Sequence, residues 1–215
     1  MKKACIFDFD GVIIDNERFW EIHKKKIYQE VYGLEIATKL NKTLGLNMDA
    51  IHETAKLYGT TVSAKMLYDA CDRHAKHVYT DAPITPGVDI LIDTLIDSDF
   101  SLAIVSASPK SWIDIALSRL HNHYGFQHII SLQDRVDLAH KPAADGYIEA
   151  MKILGVDRKH TIIIEDSNTG VLSAKAAGAY TIGLRQNNID GYQLIGADKY
   201  VDKIIEVVKI VKLWI

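Results

Sequence analysis

The sequence predicts an α/β protein built on a parallel sheet, with a helical segment inserted after the first strand. Three observations support this prediction. A short apolar run at residues 4–7 ends abruptly in acids and a glycine, as a buried strand does at the carboxyl edge of a parallel sheet. Apolar residues then recur at three- and four-residue steps up to about residue 80, as in amphipathic helices. From residue 81 short apolar runs alternate with helical patterns, which is typical of parallel strands joined by crossover helices.

Each element follows from this pattern in chain order. In the inserted segment we expect helices over residues 19–32, 47–58 and 63–79, punctuated by Gly45, Gly59 and the Thr60-Thr61 pair. Pro83 and Pro86-Gly87 mark the return to the alternating pattern. There we expect helices at 88–97, 110–121, 143–154, 168–177 and 204–215, and strands at 102–105, 128–131, 161–164 and 180–184. The predicted domains are a core of residues 1–14 and 82–215 and a helical insert of residues 15–81.

The composition is that of an ordinary globular protein and excludes several functional classes. Of 215 residues, 48% are hydrophobic and 25% are charged, and the net charge is −3. This balance excludes a disordered chain and provides no basic stripe for nucleic acid. No stretch approaches the roughly 20 apolar residues that span a bilayer, and the first apolar run is too short for a signal peptide. Two cysteines cannot form a disulfide framework, so the chain is expected to be cytoplasmic. From the charge balance and the lack of a long apolar run, we expect it to bind neither nucleic acid nor membranes.

Polar side chains follow each predicted strand at the point where it ends. They are Asp8 and Asp10, Ser106-Ala107-Ser108, Lys141-Pro142 and Glu165-Asp166-Ser167. Because ligands bind at the carboxyl ends of the strands in an open parallel sheet, we expect these groups to share one site. Crowded carboxylates repel one another unless a cation joins them, and oxygen ligands suit Mg²⁺. A lysine beside them suits a bound dianion, so the site predicts phosphoryl transfer with Mg²⁺ as cofactor.

The two acids after the first strand can divide this chemistry between them. Asp8 can attack phosphorus and form an aspartyl-phosphate. Asp10 can then protonate the leaving oxygen and later deprotonate the attacking water. Gly11 allows a sharp turn that keeps backbone N–H groups close to the phosphate.

These residues resemble the motifs of a known family. Asp8-Phe9-Asp10-Gly11-Val12, Ser106, Lys141-Pro142 and Glu165-Asp166-Ser167-Asn168-Thr169-Gly170 are similar, in order and spacing, to the four motifs of the haloacid dehalogenase-like (HAD) superfamily. The resemblance covers essentially the whole chain. It implies a Rossmann-like three-layer core with a parallel sheet and a helical cap domain inserted after the first strand.

The resemblance also implies a role for each motif residue. Asp8 is the expected nucleophile and a metal ligand, and Asp10 is the expected general acid and base, with its backbone carbonyl on Mg²⁺. Ser106 and Lys141 are expected to hold the phosphoryl oxygens. Asp166 is an expected metal ligand, with Glu165 as a second ligand or a support.

The expected substrate-binding residues are Gly11, Ser106, Ala107, Lys141, Asn47 and Trp20, although the spacing of Trp20 favours packing within the cap. Asp10 argues against a dehalogenase, which lacks that acid.

The nearest subgroup resembles the sugar-phosphate phosphatases and the β-phosphoglucomutases. Two positions depart from the mutases, because Trp20 stands where they carry a histidine and residues 45–48 supply no arginine for a second phosphate. We therefore expect a Mg²⁺-dependent phosphatase that acts on a small phosphorylated metabolite, a sugar phosphate, through an aspartyl-phosphate. A phosphosugar mutase is the alternative.

Readings from other classes fit the sequence less well. A receiver-like phospho-switch also uses acids, a hydroxyl and a lysine, but its acceptor follows an internal strand and it has no cap. A dinucleotide-binding oxidoreductase is disfavoured because no two glycines lie two apart, so the Gly-x-Gly-x-x-Gly motif is absent. Cys71, His74 and His77 have poor spacing for a zinc site on one helix. The amphipathic segment 204–215 is expected to pack on the sheet, which favours a monomer and leaves a dimer through this segment as the alternative.

Overall fold

A computed structural model describes residues 2–40 and 48–214. The chain divides into two compact units. The first consists of Met1–Glu17 and Pro83–Ile215, and the second of Arg18–Ala82.

The first unit is built on a sheet of parallel strands. The described strands are β1 (Lys3–Phe7), β2 (Phe100–Ser106), β3 (Phe126–Ser131), β4 (Thr161–Glu165), β5 (Tyr180–Leu184) and β6 (Lys199–Val201), in the order β3-β2-β1-β4-β5-β6. At the carboxyl end of β1, Phe7 lies beside Ile104 of β2 and Ile164 of β4. The residues that follow these three positions therefore emerge side by side at one edge of the sheet.

Helices cover the sheet and bury its apolar side chains. The helices of this unit are α4 (Val88–Asp97), α5 (Lys110–Leu117), α6 (Asp145–Leu154), α7 (Asn168–Ala177) and α8 (Val207–Trp214). Side chains alternate across a strand, so Ala4 and Ile6 of β1 join the buried cluster formed with α6 and α7. The helix α8 buries Val207 and Val211. This arrangement confirms the predicted α/β, Rossmann-like fold with a parallel sheet.

Three elements differ from the sequence prediction by four or more residues or were absent from it. The first is the helix Glu17–Leu40, which was predicted over residues 19–32. The helix α5 ends at Leu117 and not at residue 121, because the Ser118 hydroxyl donates to the Ile115 carbonyl and Arg119 N–H donates to the Ala116 carbonyl. The strand β6 was not predicted at all. It has three residues and an exposed lysine, which is too short to show a strand pattern.

The second unit is helical in its described residues. Its helices are α1 (Glu17–Leu40), α2 (Met48–Leu57) and α3 (Ala64–Asp81). The backbone of α1 leaves the helical conformation at Gly33, where φ is +76°. Its fully buried side chains include Leu40, Ala55, Leu67, Ala70, Ala75, Val78 and Tyr79. Across the described part of the chain, every helix is too short or too polar to cross a lipid bilayer.

Candidate active site

The polar residues that end the strands converge at the carboxyl edge of the first unit. Asp8 follows β1, Ser106 ends β2, and Glu165 ends β4 with Asp166 directly after it. Lys141 arrives from the loop before α6. Parallel strands in register place their last residues along one edge, and this pairing gathers Asp8, Ser106 and Glu165 there.

Lys141 lies between two carboxylates. Its ammonium donates to Asp8 Oδ1 at 2.5 Å, to Glu165 Oε1 at 2.6 Å and to the Val105 carbonyl at 3.1 Å. Burial lowers the pKa of Lys141, but the charges of Asp8 and Glu165 outweigh it and the net pKa lies well above the usual range. Lys141 is therefore a fixed cation whose three N–H groups all have acceptors.

Glu165 is fully buried, and both of its oxygens are held. Oε1 accepts from Lys141 and, at 2.7 Å, from the Tyr147 hydroxyl. Oε2 accepts from Asp166 N–H at 3.1 Å and from the backbone and hydroxyl of Ser167 at 3.3 and 3.1 Å. A Cβ at Gly170 would lie 1.8 Å from Oε1, so only glycine leaves room for this carboxylate.

Tyr147 is a site residue that the sequence analysis missed. Its side chain is fully buried on α6, and its ring centroid lies 5.1 Å from the Lys141 nitrogen. The apolar spacing of α6 marks position 147 as core, and no local pattern distinguishes a core tyrosine from one that holds a carboxylate. Its hydroxyl makes it part of the polar site.

Asp10 lies in a different setting from Asp8. Its Oδ1 accepts from the Asn16 amide at 2.5 Å, and its Oδ2 accepts from the hydroxyls of Ser108 at 2.7 Å and Ser106 at 3.2 Å. Ser106 also accepts from Ser108 N–H at 2.9 Å. The sequence predicts Ser108 at this edge without a specific contact and gives Asn16 no role there, and the folded chain brings both to Asp10.

The carboxylates of this edge are crowded. Burial raises the pKa of Asp8 from 3.8 to about 8, with Lys141 opposing the rise and Glu165 and Asp10 adding to it. Burial, Asp8 and Glu165 together raise the pKa of Asp166 well above its usual range. Within the described ranges, Asp8, Glu165 and Asp166 are the one set whose three ligand atoms lie within 4.8 Å of one another. The crowded oxygens of these carboxylates fit a hard divalent cation such as Mg²⁺, which would favour the ionised forms of Asp8 and Asp166, the two residues with raised pKa values.

Gly11 is required by both its backbone and its neighbour. Its φ is +76°, which favours glycine, and an added Cβ would lie 1.8 Å from Asp166 Oδ2. Its carbonyl accepts from the Asn187 amide at 2.9 Å. The turn after β1 is thereby held close to Asp166.

The remaining predicted substrate residues lie elsewhere. Ala107 is exposed directly after β2, between the two serines that hold Asp10. Trp20 belongs to the second unit and is half-buried, with its ring centroid 6.0 Å from that of Tyr79 in an edge-on contact. Asn47 lies outside the described residues, as do positions 45 and 46 of the segment compared with the mutases.

Comparisons with known proteins agree with this fold and these motifs. Hexitol phosphatase B of Escherichia coli (strain K12) is 25% identical over 179 residues, which cover 81% of this chain and 79% of that protein. Beta-phosphoglucomutase of Bacillus subtilis (strain 168) is 27% identical over 213 residues, which cover 93% and 88%. The fold is similar to the crystal structure of a HAD hydrolase, family IA, variant 3, from Entamoeba histolytica, with a TM-score of 0.74 and 22% identity over 99% of this chain and 100% of that one. The model of the haloacid dehalogenase-like hydrolase family matches residues 5–184, which include every motif position described above, and the chain is therefore a member of the haloacid dehalogenase-like hydrolases.

Proposed function

We propose that this hydrolase is a Mg²⁺-dependent phosphatase that acts on a small phosphorylated metabolite, a sugar phosphate, through an aspartyl-phosphate on Asp8. One observation carries the proposal. Two aspartates two residues apart lie in different environments, Asp8 against a buried ammonium and Asp10 among an amide and two hydroxyls. Different environments are what allow two carboxyl groups to take different roles in one reaction. The names of the two relatives, hexitol phosphatase B and beta-phosphoglucomutase, support a phosphorylated sugar or polyol as the substrate.

In the proposed first step, a carboxylate oxygen of Asp8 attacks phosphorus and the bond to the leaving oxygen breaks. Asp10, in its protonated form, gives its proton to that oxygen, so the product leaves as a neutral hydroxyl. In the second step Asp10, now a carboxylate, takes a proton from water as the water attacks the phosphoaspartate. Asp8 and inorganic phosphate are released. The donors from Asn16, Ser106 and Ser108 would hold the carboxyl of Asp10 in one orientation throughout.

Lys141 and Ser106 are the groups we assign to the phosphoryl oxygens. Lys141 donates to Asp8 at 2.5 Å, and the Ser106 hydroxyl donates to Asp10 at 3.2 Å. Phosphoryl oxygens would replace these carboxylate oxygens as acceptors, so neither donor would be left unpaired. Gly11 leaves the backbone free of a side chain at this point. We expect Ala107 N–H to complete the set.

The metal would be held by Asp8 and Asp166, with the backbone carbonyl of Asp10. When bound, Mg²⁺ would neutralise the crowded carboxylates and the charge of the phosphoryl group. Both oxygens of Glu165 already accept hydrogen bonds from protein groups. This favours Glu165 as a support that fixes Lys141, and not as a direct ligand.

The proposal is tested by Asp8→Asn with p-nitrophenyl phosphate as substrate. Turnover should be abolished while the melting temperature shows that the protein remains folded, and acid quenching of the wild type should trap phosphate on Asp8. Asp97→Asn, at an exposed position on α4, is the matched control and should turn over normally. EDTA should silence the wild type and Mg²⁺ should restore it. Turnover by Asp8→Asn near the wild-type rate, or activity that persists in EDTA, would refute the mechanism.

A mutase is the second candidate, because the beta-phosphoglucomutase match covers 93% of the chain. Trp20 and the absence of arginine in residues 45–48 favour hydrolysis. The assay is β-glucose 1-phosphate with a bisphosphate primer. Glucose 6-phosphate without free phosphate would establish the mutase, whereas free phosphate without the isomer would establish the phosphatase. A screen of phosphorylated sugars and polyols then identifies the substrate.

A further inference from the structure

The second unit contains a cluster of imidazoles that the phosphatase chemistry does not use. His23 lies on α1, and His74 and His77 lie one turn apart on α3. The Nδ1 atoms of His23 and His74 are 2.7 Å apart, and the rings of His23 and His77 are nearly parallel with centroids 6.3 Å apart. These three residues, called the imidazole cluster below, line a cleft of about 530 Å³ together with Lys26, Arg73 and Asp81.

The hydrogen bonds define where the protons of this cluster lie. Glu30 accepts from Arg73, and this hydrogen bond lowers the pKa of Glu30, so its carboxylate is ionised at neutral pH. His74 Nε2 lies 3.3 Å from Glu30 Oε2, and an ionised carboxylate only accepts. His74 therefore carries a proton on Nε2. One further proton lies between the Nδ1 atoms of His23 and His74 and joins the two rings.

We propose that the imidazole cluster is a binding site for a borderline-soft divalent ion, Zn²⁺ above all, which replaces the proton shared by His23 and His74. Metal-binding histidines commonly donate their second ring nitrogen to a carboxylate, which is the arrangement of His74 with Glu30. Imidazole nitrogen suits zinc, copper and nickel, whereas Mg²⁺ prefers oxygen. The cluster would therefore select a different ion from the one expected at the carboxylate site.

The charges around the imidazole cluster allow a dication. The cations Lys26 and Arg73 are balanced by the anions Asp81 and Glu30, so the fixed charges sum to zero. Burial and the nearby charges of His74, Lys26 and His77 lower the pKa of His23, while Asp81 opposes the shift. His23 is therefore neutral at pH 7 and able to act as a ligand.

The two Nδ1 ligands of His23 and His74 require only small side-chain movements. Tetrahedral zinc holds nitrogen ligands about 3.3 Å apart, since each lies about 2.0 Å from the ion. The two Nδ1 atoms at 2.7 Å would thus separate by roughly 0.6 Å, a change that side-chain rotation supplies. The ring nitrogens of His23, His74 and His77 do not form a set within 4.8 Å of one another, so water, or the exposed His77 after rotation of its side chain, would complete the coordination. The ion would link α1 to α3 through His23 and His74. This set of ligands differs from Cys71, His74 and His77, which all lie on α3 and have poor spacing for zinc.

The test uses the full chain saturated with Mg²⁺ and titrated with Zn²⁺. Imidazole ¹⁵N spectra should show the Nδ1 signals of His23 and His74 shifting with one equivalent of zinc. Calorimetry should show affinity at this site falling at least tenfold in His23→Gln and in His74→Gln. Glu30→Gln, which keeps both ligands but loses the anionic acceptor, should weaken binding by about tenfold. His121→Gln, whose side chain is 68% exposed in the first unit, is the matched control and should bind as the wild type does.

Three results would overturn the proposal. The first is an absence of any shift at the two Nδ1 signals. The second is an affinity for zinc that both glutamine variants retain. His23 and His74 are polar and half-buried, so both variants should fold, and melting curves verify this. The third is a shift of the cluster signals with inorganic phosphate and not with zinc, which would make the cleft an anion site.

Discussion

Replacing Tyr147 with Phe removes one hydroxyl from the buried side of the active site and leaves the ring in place. The hydroxyl donates to Glu165 Oε1 at 2.7 Å, and Lys141 donates to the same oxygen at 2.6 Å. A hydrogen bond to a charged group contributes about 1.5–3 kcal/mol, and the oxygen keeps its second donor, so we expect a loss of about 2 kcal/mol. At roughly 2–4 °C per kcal/mol for a chain of this size, the melting temperature should fall by about 4–8 °C.

The same change should affect catalysis through Lys141. Glu165 would be held by one donor fewer at Oε1, so the ammonium that we assign to the phosphoryl group would be less firmly oriented. We expect kcat/KM for p-nitrophenyl phosphate to fall by up to about tenfold, equivalent to about 1.4 kcal/mol. Tyr124→Phe is the control, because Tyr124 is 70% exposed. The reasoning fails if Tyr147→Phe melts within about 1 °C of the wild type.

Three further changes probe the same edge of the sheet. Lys141→Met leaves two carboxylates without their cation, and we expect it to abolish turnover. In urea unfolding without metal, the free energy of unfolding should fall by about 3–5 kcal/mol. The pKa of Asp8 is raised to about 8, so without metal the native state binds more protons than the unfolded state between about pH 4 and 8. The free energy of unfolding should therefore fall as pH rises through that window. Urea midpoints at pH 5 and 8 measure this slope, which Asp8→Asn should flatten; an unchanged slope would contradict the pKa. Gly11→Ala should displace Asp166 and raise the Mg²⁺ concentration for half-maximal activity, whereas Gly155→Ala, also at positive φ but with open space around it, should change stability only.

Much of the architecture could be predicted because strands and helices leave local patterns. The apolar runs that became β1, β2 and β4 each end at the residue where the polar group begins, so the edge that carries Asp8, Ser106 and Glu165 is visible in the chain. The strand β6 could not be predicted in this way. Its three residues are fixed by pairing with β5, which no local pattern records.

The sequence by itself determined which chemical groups stand at the strand ends, because an abrupt change from apolar to acidic residues is a local signal. Only the tertiary structure decided which atoms meet. Tyr147 reaches Glu165 across 18 residues, Ser108 reaches Asp10 across 98, and His23 reaches His74 across 51. The physical reason is that a hydrogen bond requires partners within about 3 Å in a set orientation, and packing of distant segments supplies that precision.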